Sequence, residues 1–395
     1  MMKRNKLFFL VVLFFVLTSC NIFAKNNKTI ENNTTSIDNV STGEASDIDI
    51  EEAAGYEYWL LPEYDYVSDF SSDYGLLCKD DLNILVDNEY NLITSTSEYE
   101  VVYLSEDKIC FKSYENLKYG LMDRNGVVIV EPEYDSPLMF YDGMAYARKG
   151  ERFGYLNTRG ELIIDYDYSW VTPFKEGIAA VGISEDEFWF INKRGEVMSG
   201  PYELLIPDAT VQTMAYLEYS EGYTAFFERS DGALTQTYGG QGYWGYLDKK
   251  GNIAIPAQYS FVRPFSEGLA AVVTKDGRCI YIDKNGEEVM EAFLADFYNG
   301  LAFREDGFID KSGNMILKIP EGYTTVSSYQ KGYGNFYLGD LMAVYKERDE
   351  SKGAVMDKQG NILLESDEFE EIKIFRDNYV AVKIDGKWGI IKVNQ

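Results

Sequence analysis

From residue 56 onward the chain is a succession of short apolar runs cut by Gly, Asp and Asn. The clearest stretch reads Tyr243-Trp244-Gly245-Tyr246-Leu247-Asp248-Lys249-Lys250-Gly251-Asn252-Ile253-Ala254-Ile255-Pro256, followed by Pro264-Phe265-Ser266-Glu267-Gly268-Leu269-Ala270-Ala271-Val272. Phe153 to Ile163 and Pro173 to Val181 repeat it closely. Aligned on the Asp or Asn of the turn, copies fall at Asp87, Asp123, Asn157, Asn192, Asp248, Asp283, Asp310 and Asp357, a period of about 35 residues. A fixed period of this size marks one supersecondary unit per copy, each burying its apolar face against its neighbours.

Each unit reads as three short strands, which predicts an all-β fold. Leu269 to Val273 and Ile280 to Asp283 flank Lys275-Asp276-Gly277-Arg278, a tight hairpin signal. Asp283-Lys284-Asn285-Gly286 is a second turn, where the Asp side chain bonds the backbone ahead and Gly accepts φ > 0. A third strand follows, as in Gly126 to Pro132 or Gly251 to Pro256. The aromatic before the Gly (Tyr119, Phe153, Trp244, Trp388) is expected to fill the core between units, with Gly admitting a neighbouring ring or backbone.

An aromatic-Gly pair, an Asp-x-x-Gly turn about three residues later and an F-x-E-G-L-A segment together resemble the WG (KWG) β-repeat family of bacterial proteins. The resemblance covers residues 56 to 395 and is most specific at Trp244-Gly245 and Lys387-Trp388-Gly389. Phe188 to Asn192 and Ile280 to Asp283 depart from it by lacking the Gly, and Asp87 lacks the turn Gly. It implies tandem three-stranded repeats forming a scaffold, often surface-associated. The repeats open on a third-strand pattern, Trp59 to Tyr64, and close on a first-strand pattern, Trp388 to Val393. One strand from each end would complete a shared sheet and leave no exposed edge, which favours a propeller-like ring over an open β-solenoid.

Ahead of the repeats, Met1 to Lys6 is basic, Leu7 to Leu17 is apolar and Ser19-Cys20 follows at once, a signal-peptide layout. Crossing a ~30 Å hydrocarbon core takes about 20 residues, more than this apolar run supplies. Leu17-Thr18-Ser19-Cys20 resembles a lipobox, which implies cleavage between Ser19 and Cys20 and diacylglycerol on the Cys20 thiol. Residues 21 to 55 are rich in Asn, Thr, Ser, Asp and Glu and lack an apolar period, so they read as a disordered tether. The expected plan is a signal peptide over 1–19, lipidated Cys20 with its polar tether over 20–55, and a repeat domain over 56–395. Its expected place is the extracytoplasmic side of the membrane in the cell envelope, held there by the lipid.

Charge narrows the partners. The formal −28 becomes −28 − 3 = −31 once Lys3, Arg4 and Lys6 leave, so nucleic acid is not expected as a partner. Histidine is absent, which removes the commonest general base and zinc ligand; no cofactor, metal or catalytic residue is assigned. Of four cysteines, Cys78, Cys110 and Cys279 remain beside Cys20; a Cys78–Cys110 disulfide and three buried thiols are both open. The acidic runs Asp47 to Glu52, Ser184 to Glu187 and Glu365 to Glu371 lack calcium-loop spacing and read as solvated surface.

Two steps break the period. The step from Asn192 to Asp248 contains a Gly/Thr/Tyr-rich stretch with Asp231, Gln236, Tyr238 and Gln241, and the step from Asp310 to Asp357 contains Tyr333, Phe336 and Tyr337. Insertions in repeat proteins often carry the binding surface. The function expected is a lipid-anchored, non-catalytic scaffold that binds an envelope protein or another extracellular macromolecule. The alternatives are a cell-wall or glycan-binding module and a carboxylate-dependent hydrolase, whose paired acids are a spatial property. Replacing Cys20→Ser is expected to move the protein from the membrane fraction to the soluble fraction; persistence in membranes contradicts the lipid anchor.

Overall fold

The computed structural model describes residues 56–68, 74–80, 82–87, 92–184, 187–203, 217–229, 234–235, 242–304, 307–324, 337–338, 341–346, 349–376 and 378–393. The expected signal peptide, Cys20 and the expected tether lie outside them. Among the described residues every regular element longer than a turn is a β-strand. The strands form nine antiparallel meanders in sequence order, grouped into eight hydrogen-bonded sheets. A representative meander runs Phe140–Tyr141, Met144–Lys149, Arg152–Asn157 and Leu162–Tyr168. The repeat therefore has four strands in most sheets, not three. The extra one is the first and is only two residues long in several copies, too short to show alternation in a sequence.

The turn between third and fourth strands is built alike throughout. The Asp or Asn Oδ1 accepts the N–H groups two and four residues ahead at Asp123, Asn157, Asn192, Asp248, Asp283, Asp310 and Asp357, within 2.8–3.1 Å. The Gly three residues on, such as Gly286 at φ 82°, occupies the left-handed region that its missing Cβ permits. The hairpin expected around Asp276-Gly277 is also present, with Ala270 opposite Ile282 and Val273 opposite Cys279.

Two compact units are present, one formed by Val102–Lys318 and the other by residues 56–101 with 319–393. Within each, apolar side chains of one sheet pack on the next. In the first unit Tyr155, Ile164 and Met144 meet Phe174, Ala179 and Val181, and further on Trp244, Tyr246 and Ile255 meet Val262, Phe265 and Val272. In the second, Leu341 and Val355 meet Ile372 and Val382, and Trp388 and Ile390 meet Val67 and Leu77. There the first strand, Tyr56–Tyr64, pairs antiparallel with the last, Lys387–Val393, with Tyr56 opposite Val393. The chain's two described ends thus complete one sheet, as the offset between the terminal patterns requires.

The Gly of the aromatic-Gly pair has a steric reason. A Cβ on Gly154 would stand 2.5 Å from the Ile164 carbonyl oxygen, and one on Gly245 would stand 2.5 Å from that of Ile255. The fourth strand steps in register at these points, between Phe153 and Tyr155 and between Trp244 and Tyr246, bringing its backbone against the Gly. The preceding aromatic is less uniform than expected: Trp244 and Trp388 are buried, whereas Tyr119 and Phe153 are half-buried. Cys110 is a buried thiol that accepts Leu138 N–H at 3.2 Å and is not bonded to Cys78, and burial pushes its pKa up to about 12. Gly245→Ala is expected to destabilise the fold by about 1–3 kcal/mol through overpacking, as a lowered denaturation midpoint; an unchanged midpoint contradicts the close approach.

Candidate binding surface

In an antiparallel meander, the turn joining strands one and two lies at the same end of the sheet as the turn joining strands three and four. The turn joining strands two and three lies at the opposite end. Each sheet therefore has a turn end, bearing the Asp-x-x-Gly loops, and a far end.

At the turn end of the Val102–Lys318 unit, consecutive sheets are latched by carboxylates. Glu176-Gly177 is a two-residue hairpin loop with both residues at positive φ, 52° and 84°, closed by mutual hydrogen bonds between Lys175 and Ile178. Such loops favour Asn or Asp first, so Glu needs another reason to be there. Its carboxylate accepts the N–H of Gly222 in the next meander at 2.8 Å and pairs with Lys249 at 2.9 Å. The device recurs. Asp142 accepts from Gly177 at 2.5 Å, Glu221 from Gly268 at 2.8 Å and Glu267 from Gly300 at 2.9 Å. Lys193, Lys284 and Lys311 supply the cations at 2.7, 3.2 and 3.1 Å. The cation is the residue after the turn Asp or Asn, so two sequence motifs meet across each sheet boundary.

Between the sheets sits a second recurring contact. Tyr155, Tyr246 and Tyr281 on third strands are fully buried against Phe174, Phe265 and Phe297, with ring centroids 4.7, 4.8 and 4.9 Å apart. Their hydroxyls donate to the carbonyls of Thr172, Arg263 and Ala295 at 2.8, 2.7 and 2.8 Å. Desolvation raises all three phenol pKa values, so the rings stay neutral donors. Sequence reasoning assigned the core to the aromatic before the Gly and missed the Tyr after it; the Gly-Tyr step in both clear copies was the available signal.

The latches align the turn ends, so the far ends also lie together. Arg152, in the far-end turn of one sheet, donates to the carbonyls of Asp167 and, in the next sheet's far-end turn, Ile183, at 3.0 and 3.5 Å. Lys118, which precedes the Tyr119-Gly120 pair, binds Asp135, whose other oxygen accepts Gly150 N–H at 2.7 Å; that carboxyl is held below its ordinary range chiefly by the Lys118 hydrogen bond. Lys387 of Lys-Trp-Gly binds Asp65 in the same way in the other unit. At this far end Tyr114, Leu117, Ile183, Tyr243, Phe293 and Leu294 are exposed. Lys275 lies 3.9 Å above the Tyr243 ring centroid and Arg304 5.2 Å from that of Phe293.

Of the residues singled out in the insertions, Asp231, Gln236, Tyr238, Gln241, Tyr333 and Phe336 lie outside the described residues, as do Ser19 and Cys20. Only the backbone of Tyr337 is described, pairing with Met342. The first insertion joins the second and third strands of its meander, Tyr223–Arg229 and Gly242–Asp248, and so leaves from the far end. The second joins the first and second strands, Tyr323–Thr324 and Leu341–Lys346, and leaves from the turn end of its own sheet. Thr235, inside the first insertion, pairs in parallel with Glu203, the end of the preceding meander's fourth strand. Of the acidic runs, Asp47 to Glu52 lies outside the described residues, as do Glu185 and Asp186. Glu365 accepts the Tyr323 hydroxyl and pairs with Lys346. Among the described residues no three metal-ligating side chains converge, and no helix is long and apolar enough to cross a membrane.

Four segments, 119–152, 153–183, 244–279 and 355–388, match the family described as WG containing repeat. No curated protein matches the chain. Among solved structures it is similar to the computationally designed Ika8 protein, at 13% identity over 84% of this chain and 96% of that one, with a TM-score of 0.38. It is similar to BamB from Moraxella catarrhalis at 10% identity over 84% and 97%, TM-score 0.37, and to the C-terminal WD40 domain of Sif2 at 10% over 85% and 98%, TM-score 0.36.

Burial tends to raise the Glu176 pKa, but Lys249 and the backbone N–H groups of Gly222 and Glu221 outweigh it and hold the carboxyl below its ordinary range. A lowered folded pKa means the latch stabilises above the unfolded pKa and fades as pH falls through the folded one. Glu176→Gln is therefore expected to lower the melting temperature at pH 7 and by less towards pH 3; an equal loss at every pH contradicts an ionic latch.

Proposed function

We propose that this chain, four segments of which match the WG containing repeat, is an exported, lipid-anchored scaffold that holds a protein of the cell envelope on the far ends of its sheets. The lipobox-like Leu17-Thr18-Ser19-Cys20 and the polar stretch after it support export and anchoring. Pairing of Tyr56–Tyr64 with Lys387–Val393 supports a closed repeat array over an open solenoid.

The observation that carries the binding site is the exposure of Tyr114, Leu117, Ile183, Tyr243 and Phe293 at the far ends of their sheets, away from the latches of the turn ends. Aromatic and aliphatic anchors ringed by polar groups are what protein interfaces use. The strands that flank the insertion with Asp231, Gln236, Tyr238 and Gln241 meet it at the same end. Stacking of sugars is the weaker reading, because Lys275 and Arg304 already stand over the Tyr243 and Phe293 rings.

The test is capture from envelope extract and from purified wall polymer on the immobilised protein. A single envelope protein retained by the native chain is expected, with retention falling about tenfold both for Ile183→Ser with Tyr243→Ser and for a chain lacking residues 230–241. Retention of wall polymer, or equal retention by both variants, contradicts the proposal.

A further inference from the structure

One sheet boundary in the Val102–Lys318 unit is built unlike the others. Among the described residues it is the one place where two meanders join in a single hydrogen-bonded sheet. The joint is Leu234–Thr235, from the first insertion. Thr235 pairs in parallel with Glu203, the last residue of Val197–Glu203, and antiparallel with Phe227 of Tyr223–Arg229, while Leu234 stands opposite Glu228. One short strand thus lies between two sheet edges and covers both.

Its place is that of a missing element. The hairpins of three successive meanders close on the same bridge, Lys175 with Ile178, Ser220 with Tyr223 and Ser266 with Leu269. Four residues past Ile178 and Leu269, Gly182 pairs with Trp170 and Val273 with Phe261, both in two-residue first strands. Four residues past Tyr223 is Phe227, and its partner is Thr235. Leu234–Thr235 also runs antiparallel to the second strand, as a first strand does. A segment that follows the second strand in sequence therefore fills the position that elsewhere belongs to a strand preceding it.

Two residues make few backbone pairings, and each is worth little net because water satisfies the same groups when the strand leaves. Departure uncovers backbone groups beside Glu203 on one side of the gap and beside Phe227 and Glu228 on the other. Strand edges with free N–H and C=O groups are a template for an added strand.

We propose that this boundary is a strand-accepting slot, held shut in cis by Leu234–Thr235 and filled in trans by an extended polypeptide segment once that strap is displaced. Recognition is by backbone pairing, so the slot tolerates different side chains and rejects segments that lack N–H groups. It goes beyond the far-end surface and does not draw on the residues exposed there.

The probe is a fluorescent peptide of alternating Val and Thr, followed by anisotropy, beside one of alternating Val and Pro. Arg229 stands opposite Gly242, so an Asn-Gly loop in place of residues 230–241 removes the strap and closes the hairpin. The shortened chain is expected to bind the Val-Thr peptide about tenfold or more tighter than the native chain does, and to bind Val-Pro about tenfold more weakly than Val-Thr. Hydrogen exchange in Tyr223–Arg229 is expected to quicken on shortening and to slow again when Val-Thr is added. Thr235→Pro, which keeps the full length, is expected to open the slot in the same way. Ile183→Ser is expected to leave peptide binding unchanged, so failure of the far-end surface and failure of the slot are read separately. Equal binding by the native and shortened chains overturns the proposal, as does binding without renewed protection in Tyr223–Arg229. Should the shortened chain fail to melt cooperatively, Thr235→Pro decides.

Discussion

A three- or four-stranded meander of this size cannot bury its apolar residues alone, and everything else in the molecule depends on how one sheet is seated on the next. The recurring seat is a buried tyrosine ring set against the next sheet's phenylalanine, with its hydroxyl on a backbone carbonyl, as in Tyr246, Phe265 and Arg263. The ring supplies apolar area and the hydrogen bond fixes where that area is placed, because a carbonyl left without its donor in the dry interior would cost about 1–3 kcal/mol. The Gly before the tyrosine lets the fourth strand close over the third, so the aromatic-Gly-Tyr triplet serves packing within one sheet and between two.

Given that seating, the two ends of the sheets divide their work. Carboxylates of the turn end are consumed in latching neighbours, and the non-glycine residues held at positive φ there are kept by the contacts they make across the boundary. The far end is braced by Lys118–Asp135 and Lys387–Asp65, which gives the Lys of Lys-Trp-Gly a structural role, and leaves aromatic and aliphatic side chains outward. Two fourth-strand edges, the usual liability of such sheets, are interrupted by Pro132 and Pro256, and the strand with Pro201 is covered at Glu203 by Thr235. In the terminal sheet the fourth strand is supplied by Tyr56–Tyr64.

Much of this was legible beforehand because its causes are local. The turn Asp and its Gly act within five residues, and the Gly of the aromatic-Gly pair announces a close approach wherever it falls. The terminal pairing was legible because the first and last patterns are complementary parts of one repeat. The short first strand was hidden, since two residues such as Trp170–Val171 carry no alternation. The latches were hidden for a different reason: Glu176 and Lys249 belong to different repeats, and nothing in either motif names the other as its partner. The candidate site was the least legible part. The sequence marked where loops are long, whereas exposed far-end residues such as Ile183 lie in loops of ordinary length.

The claim that sheets hold together only through their neighbours is tested most directly by native-state hydrogen exchange on Tyr246→Phe, read by mass spectrometry across the whole chain. Loss of this one hydroxyl is predicted to lower protection together in Gly242–Asp248 and in the next sheet's Ala270–Val273 and Cys279–Ile282, by about the same free energy in each. Protection lost in Gly242–Asp248 alone, with the following sheet unchanged, would contradict the account.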